Sequence, residues 1–369
     1  MPKPSPRVVV AMSGGVDSSV AAALLVEQGY DCVGVFMRHA APALPAGALP
    51  IVDPRPGHQG CCSAADALDA RRVADRLGIP LYPLDLTADF ERIIADFAAE
   101  YGRGRTPNPC VRCNAWLKFG RLFEHAAAIG ASHVATGHYA RLDRGPAGAP
   151  ILRRGLDSDR DQSYVLFDIE RERLGTMLLP VGGLSKAAVR QRAAALGLVT
   201  ADKPDSQEIC FVQPGRHAEL VAARLGGSRA GEIVDPFGRV LGRHDGIEHF
   251  TVGQRRGLGI AAGEALHVVR IDADTNRVVV GPRAAVPETE LVAAEVRWLA
   301  EPPAGPLACE VQCRAQRAAA SAVVTPLAEN RLHARFTGGP DASPGPISPG
   351  QPAVVYLGDR LLGGGWIEG

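Results

Sequence analysis

Residues 8–19 read VVVAMSGGVDSS. The continuous apolar run Val8 to Ala11 reads as a strand. It runs through Met12 into Ser13-Gly14-Gly15, and the Ala/Leu-rich segment Ser18 to Gln28 follows as a helix. Glycines at 14 and 15 let the backbone turn tightly and expose its N–H groups. Ser13, Ser18 and Ser19 add hydroxyl donors, and the helix N-terminus adds a partial positive charge. Strand, glycine loop and helix in that order make an anion cradle rather than a mere connecting turn. Asp17 supplies a carboxylate able to hold Mg²⁺ against bound phosphates. The Gly-x-x-x-x-Gly-Lys-Ser/Thr loop of kinases and GTPases is absent.

Outward from this unit, the same alternation continues. Cys32 to Phe36 reads as a second strand, Ser63 caps a helix ending near Gly78, and Ile79 to Leu84 is a third strand. After Thr87, the residues Phe90, Ile93, Ile94, Phe97 and Tyr101 form an apolar stripe at helical spacing. Asn114 to Ile129 reads as a further helix and His133 to Thr136 as a fourth strand. Strands alternating with helices predict a doubly wound parallel sheet of α/β class. The Pro/Gly/Ala-rich stretch Ala40 to Gly60 reads as a loop.

Past Gln213 glycines become frequent, and short runs such as His267 to Ile271 and Arg277 to Val280 read as strands. Pro/Gly-rich breaks fall at Glu301 to Pro306 and Gly338 to Gly350. The expected division is a catalytic domain over 1–213, a small mostly-β domain over 214–286 and a C-terminal β-barrel over 287–369.

Composition narrows the class without choosing a substrate. The 369 residues are 46% apolar and 22% charged, as in an ordinary globular protein. Forty basic residues balance forty acidic ones, so any nucleic-acid site must be a local basic patch. The N-terminus lacks a signal-peptide pattern, and no stretch has the length to span a bilayer. The expectation is a cytoplasmic protein without membrane contact. There the eight cysteines serve as reactive or metal-binding groups more readily than as structural disulfides.

Two cysteine sites stand out. Residues 104–114 read GRTPNPCVRCN, where two prolines stiffen a loop and Cys113 is expected at the start of the next helix. The helix dipole, with Arg112 adjacent, would lower a thiol pKa there. Residues 205–211, DSQEICF, hold Cys210. A tetrahedral zinc site on Cys110 and Cys113 would want two more ligands, and the sequence has no second Cys-x-x-Cys. An iron–sulfur cluster on Cys110, Cys113 and Cys210 stays open as a less favoured arrangement. Cys32 reads as core packing, Cys309 and Cys313 as one face of a strand, and the pair Cys61 and Cys62 has no evident role.

The string SGGVDS resembles the pyrophosphate-binding loop of the ATP pyrophosphatases. With GRTPNPCVRCN, ATGHYAR (135–141), DSQEICF and FTVGQRRGLG (250–259), the chain resembles the tRNA-specific 2-thiouridylases over nearly its whole length. The resemblance implies ATP cleavage to AMP and pyrophosphate, with Cys113 as catalytic nucleophile and Cys210 as carrier of a transferable persulfide. It places ATP at Ala11, Met12, Ser13, Gly14, Gly15, Val16, Asp17, Ser18, Met37 and Gly137, and the target base at Asn108, Pro109 and Cys110. Some relatives carry Asp where this chain has Cys110.

The resemblance also implies tRNA contacts at Arg160-Asp161-Gln162, where the family has Lys-Asp-Gln, and at Arg314-Ala315, where it has Arg-Tyr. The lost aromatic removes a stacking surface. The implied partners are the anticodon arm of tRNAs for Lys, Glu and Gln, and a persulfide donor such as a cysteine desulfurase or a relay protein. The chemistry agrees: adenylation turns a carbonyl oxygen into a leaving group, a persulfide delivers sulfur, and a second cysteine accepts the disulfide. The competing readings are an ammonia-using ATP pyrophosphatase, which would need neither cysteine, and a binding module with a vestigial loop.

Overall fold

The computed structural model describes residues 5–38, 63–145, 148–205, 209–212, 215–339 and 343–369. The stretch 40–60, Cys61, Cys62, and Ser206, Gln207 and Glu208 lie outside the described residues. The chain forms two compact units: Met1–Glu91 with Cys110–Gln213 and Asp359–Leu361, and Arg92–Pro109 with Pro214–Gly358 and Leu362–Gly369.

In the first unit, β1 (Arg7–Ala11), β2 (Asp31–Arg38), β3 (Leu81–Asp85), β4 (His133–Ala135) and β7 (Met177–Leu178) make one sheet in the order β3-β2-β1-β4-β7. Every pairing in it is parallel. Alternate side chains of β1 serve opposite cores. Val8 and Val10 join Val20, Val73 and Val189 on one face, while Val9 and Ala11 join Leu122 and Ala126 on the other. Helices α1 (Val16–Glu27), α2 (Ala64–Leu77) and α6 (Lys186–Ala195) supply the first face. The doubly wound expectation is met, and the continuous apolar run is its cause. Between β4 and β7 lies an antiparallel hairpin, β5 (Ala140–Arg144) and β6 (Pro150–Arg154).

Helix α2 begins at Ser63 in a capping box with Asp66 and ends at Gly78 in the left-handed region, as the sequence suggests. The expected stripe of α3 (Thr87–Gly102) is buried, from Phe90 at 3% exposure to Tyr101 at 8%.

One boundary differs. The helix expected from Asn114 starts earlier, as α4 (Pro109–Arg112), continues as a π-helical run over Cys113–Arg121, and ends as α5 (Leu122–Ala128). Proline suits the first helical position, where its missing N–H costs nothing. Cys113 therefore lies inside the helix, and Cys110 occupies the first turn.

In the second unit, α7 (His217–Leu225) precedes β8 (Gly231–Val234), β9 (Val240–His244), β10 (His267–Asp272) and β11 (Arg277–Gly281), ordered β10-β11-β8-β9. The strands β12 (Glu290–Trp298), β13 (Leu307–Gln312), β14 (Ala320–Leu327), β15 (Arg331–Phe336), β16 (Pro352–Leu357) and β17 (Arg360–Ile367) come next. Their order is β12-β15-β14-β13-β16-β17, and β12 also pairs with β17, so the barrel closes. Cys309 and Cys313 point into its core beside Val311. Burial pushes the two thiols up, to about 11 and about 12, leaving them inert. Cys32 is likewise core, with its thiol raised to about 11 by burial and then by Asp31.

Candidate active site

The loop after β1 is shaped by contacts that admit only glycine at its bend. Gly14 has φ +73°, and a Cβ there would stand 2.2 Å from the Asp66 carbonyl oxygen. Ser18 Oγ accepts from Ser13 N and lies against Ser13 Oγ, both at 3.2 Å. Ser18 and Ser19 hydroxyls donate to Gly15 O at 3.1 and 2.8 Å. Gly137, just past β4, comes so near the start of α1 that a Cβ would meet Ser18 N at 2.6 Å.

Over this loop opens a cavity of about 290 Å³. Ala11, Ser13, Gly15, Val16, Asp17, Ser18, Met37 and Gly137 line it, which brings together most of the residues expected to hold ATP. Met12 and Gly14 contribute differently: Met12 is 2% exposed within the core, and Gly14 faces the Asp66 backbone.

The cavity wall also carries cations that motif reading missed: Lys118, Lys186 and Lys203. Lys186 Nζ bridges Asp17, at 2.8 and 2.9 Å, and Asp205, at 2.7 Å. Tyr139 donates to Asp17 Oδ1 at 2.7 Å. Lys203 Nζ donates to Gly14 O at 2.9 Å and pairs with Asp66 at 2.7 Å and Asp69 at 2.6 Å. Burial pulls the Lys203 pKa down, but its two carboxylates outweigh that and the net shift is upward. Burial likewise raises Asp205, yet Lys186, Arg160 and Arg190 hold its carboxyl below the ordinary range.

His138 is buried in the cavity wall, its Nδ1 2.7 Å from Thr136 Oγ1 and its Nε2 3.5 Å from Lys118 Nζ. Burial, and then Lys118, pushes its pKa well below 6.5, so the ring is neutral and Nε2 faces the ammonium with a lone pair. Lysines carry no local signal that tells a cavity wall from a solvated surface. Asp205 and His138 lie within DSQEICF and ATGHYAR, yet no local pattern marks what either does.

The expected RNA-contacting triplet divides. Arg160 lines the cavity and pairs with Asp205 at 3.0 Å. Asp161, with 8% of its side chain exposed, accepts from Arg154, Gly155 N and both Ser163 groups, at 2.8–3.0 Å. Gln162 Oε1 accepts from Tyr139 N at 2.9 Å. Asp161 and Gln162 thus shape the turn after β6. In the second unit, Arg314 donates to Val252 O at 3.1 Å and to Ser348 Oγ at 2.8 Å, while Ala315 is exposed.

Asn108 is half-buried, Pro109 buried and Cys110 exposed; Cys113 and Cys210 are half-buried. None of these three cysteines lines the cavity, although Lys118 of the π-helical run does. The Arg112 guanidinium pairs with the buried Asp168 at 3.3 Å and lies 5.2 Å from the Trp116 ring centre. Asn114 Nδ2 donates to Val165 O at 3.1 Å, and Arg173 donates to the Phe119 and Gly120 carbonyls. Among the described residues, no group of three or more His, Cys, Asp or Glu could hold a metal ion, and none of the helices is long and apolar enough to cross a membrane.

A family profile described as "tRNA methyl transferase HUP domain" matches residues 6–214. One described as "tRNA methyl transferase PRC-barrel domain" matches 219–282, and "Aminomethyltransferase beta-barrel domain" matches 288–367. The molecule is thus of the HUP class, an α/β domain carrying two β modules.

Along its full course the chain is similar to proteins named tRNA-specific 2-thiouridylase MnmA. That of Rhodopirellula baltica is 46% identical over 389 residues, covering 98% of this chain and 96% of the relative. That of Geobacter metallireducens is 45% identical with the same coverages. For Rhodospirillum centenum the identity is 48%, covering 98% of this chain and 91% of the relative. The chain belongs to the tRNA-specific 2-thiouridylase family.

Proposed function

We propose that the chain is an ATP-dependent tRNA-uridine 2-sulfurtransferase acting on the wobble uridine of tRNAs for Lys, Glu and Gln. The observation that supports it most is the Ser13–Ser18 cradle under a lysine-walled cavity, in a chain matched end to end by 2-thiouridylases. A methyltransferase, the word in two profile descriptions, would need neither a triphosphate cradle nor paired reactive cysteines.

In the proposed reaction, the uracil O2 attacks the α-phosphorus of ATP and pyrophosphate leaves. The terminal sulfur of a Cys210 persulfide then attacks C2, and AMP departs with the oxygen. The Cys113 thiolate attacks the Cys210 sulfur, the S–S bond breaks, and its electron pair stays on the 2-thiouridine sulfur. A Cys113–Cys210 disulfide results, which a thiol reductant resets. Loop N–H groups and Lys186 face the phosphates, and Lys118 adds positive charge on the cavity wall.

Mg²⁺ fits this site sparingly. Asp17 accepts three hydrogen bonds, two on Oδ1 and one on Oδ2, which leaves one lone pair for a metal. When bound, the ion would offset phosphate charge. The persulfide route needs no iron–sulfur cluster on Cys110, Cys113 and Cys210, and the cluster stands as the alternative that the test below separates. Asn108, Pro109 and Cys110 would meet the extruded base, a displacement that costs least in an anticodon loop. Arg160 and Arg314-Ala315 would meet the RNA backbone, with Asp161 and Gln162 shaping the turn that presents Arg160. The reading divides the chain into a catalytic part (1–213), a central β part (214–286) and an RNA-gripping barrel (287–369). It places the protein in the cytoplasm, beside a cysteine desulfurase or relay protein as persulfide source.

Nucleoside mass spectrometry on unmodified tRNA, with Mg-ATP and a persulfide-charged donor, tests this without added iron. Thiouridine from wild type and none from Cys113→Ala or Cys210→Ala supports the persulfide route. Product only after cluster reconstitution would favour the iron–sulfur alternative, and none under either condition an ammonia-using synthetase.

A further inference from the structure

Thr136, His138 and Lys118 form a hydrogen-bonded chain on the cavity wall. An ammonium only donates, so the contact from Lys118 Nζ to His138 Nε2, 3.5 Å long, needs a lone pair on that nitrogen. The ring proton then sits on Nδ1, which donates to Thr136 Oγ1 at 2.7 Å. Thr136 is buried at the end of β4, where its N–H donates to Leu178 O of β7 at 3.1 Å. Phe119, also buried, sets its ring 6.0 Å from the imidazole at 40° between the planes. The imidazole is thus held from the sheet on one side and from the π-helical run on the other. Lys118 belongs to that run, five residues after Cys113, and a π turn closes i→i+5 rings. Its side chain is therefore carried one turn from Cys113 and lines the cavity over the Ser13–Ser18 loop.

We propose that His138 is a positioning residue for Lys118. Braced by Thr136, its lone pair holds the ammonium in place on the side of the cavity that the π-helical run supplies. There the charge would meet the negative charge that grows on the α-phosphoryl group during adenylation. A lysine stem is flexible and has no fixed direction of its own. A charge stabilises a transition state best when it is already in place, so an acceptor behind the ammonium has a kinetic consequence. Leucine at 138 would fill similar space without a lone pair, whereas glutamine could still offer one to Lys118. The proposal rests on the reading of the cavity as an adenylation site, and adds which group fixes the cation on its wall.

The tautomer is tested first, without turnover. In the full-length chain with isotope-labelled histidine, NMR should show the His138 ring protonated at Nδ1 and bare at Nε2, its signals identified by their loss in His138→Gln. The Nε2–H form overturns the proposal. The second measurement is the single-turnover rate of pyrophosphate release from Mg-ATP with unmodified tRNA. Lys118→Met should lower it by about 10²–10³, as for loss of one preorganised donor. His138→Leu should lower it at least about tenfold while affinity for a non-hydrolysable ATP analogue holds, and His138→Gln should recover part of the rate. In the Lys118→Met background His138→Leu should change nothing further, because a residue acting through another has no effect once that other is gone. An equal fall in both backgrounds, or the wild-type rate in His138→Leu, overturns the proposal. If His138→Leu does not fold, Thr136→Val carries the same comparison. A fall confined to the chain that keeps Lys118 supports positioning; no fall, or an equal one in both backgrounds, overturns it. The parent reading fails separately: wild type that releases no pyrophosphate sinks the adenylation site, and this proposal with it, whatever the tautomer.

Discussion

Cys113 lies within an unbroken helical run, fastened through Asn114 to Val165, through Arg112 to Asp168, and by Arg173 at the Phe119 and Gly120 carbonyls. Cys210 lies on a turn over 209–212, where Val212 N donates to Ile209 O and Phe211 sets its ring edge-on to Phe90 at 5.5 Å. Side chains from other parts of its unit hold the helix of the first cysteine, and a backbone turn and an aromatic pair flank the second. These settings accommodate the two proposed tasks: Cys113 as acceptor thiol, and Cys210 as the sulfur carrier that would meet a donor and then a base.

The sharpest way to break this contrast is to separate the two tasks chemically. Cys113→Ala should still gain one sulfur atom from a persulfide donor, seen by intact mass, while thiouridine formation falls by at least about a thousandfold, as for loss of a nucleophile. Cys210→Ala should gain none. Loading of both variants alike would erase the distinction.

Next in size is the brace on the Cys113 side. Arg173→Met leaves two carbonyls of the π-helical run without that donor, and should cost about 1–3 kcal/mol in urea denaturation. An unchanged midpoint would show that the run needs no such support.

His138 gives a pH test on the wall that Lys118 shares. Its folded pKa lies well below 6.5, so below that value the unfolded chain binds a proton that the folded chain does not. Stability should fall as pH drops from about 6.5, by up to about 1.4 kcal/mol per pH unit, until the folded pKa is reached. His138→Gln should flatten that slope in denaturation curves collected across the range.

The smallest effect is expected on the carrier side. Phe211→Ala removes an edge-to-face pair worth about 0.5–1.5 kcal/mol. It should speed alkylation of Cys210 more than it shifts the midpoint; the reverse order would make Phe211 a core residue like any other.

Much of the fold is legible through local rules. The run Val8 to Ala11 announces a strand, Ser63 and Gly78 mark the ends of α2, and Gly14-Gly15 mark the cradle. Contacts made across the sequence are not legible in this way. Lys186 and Lys203 reach the loop from far along the chain, and nothing near either residue distinguishes it from a surface lysine. Sequence misplaces the start of the Cys113 helix because Pro109 reads as loop stiffening, while its fixed φ serves equally as a first helical residue. The π-helical run has no local signature, and its contacts with Arg173 come from far along the chain.

That run has a consequence for which kinds of lesion the gene tolerates. A π-helix closes i→i+5 rings, so its turns hold more residues than the α-helices at either side. Deleting one codon within Cys113–Arg121 would let the segment relax toward α geometry, and the tightened turns would offset much of the roughly 100° of rotation lost with the residue. Such a protein would keep its helix and most of the register of the flanking α-helical turns. A barrel strand behaves oppositely: one missing residue there sends every later side chain of the strand to the wrong face, and the fold itself is forfeited.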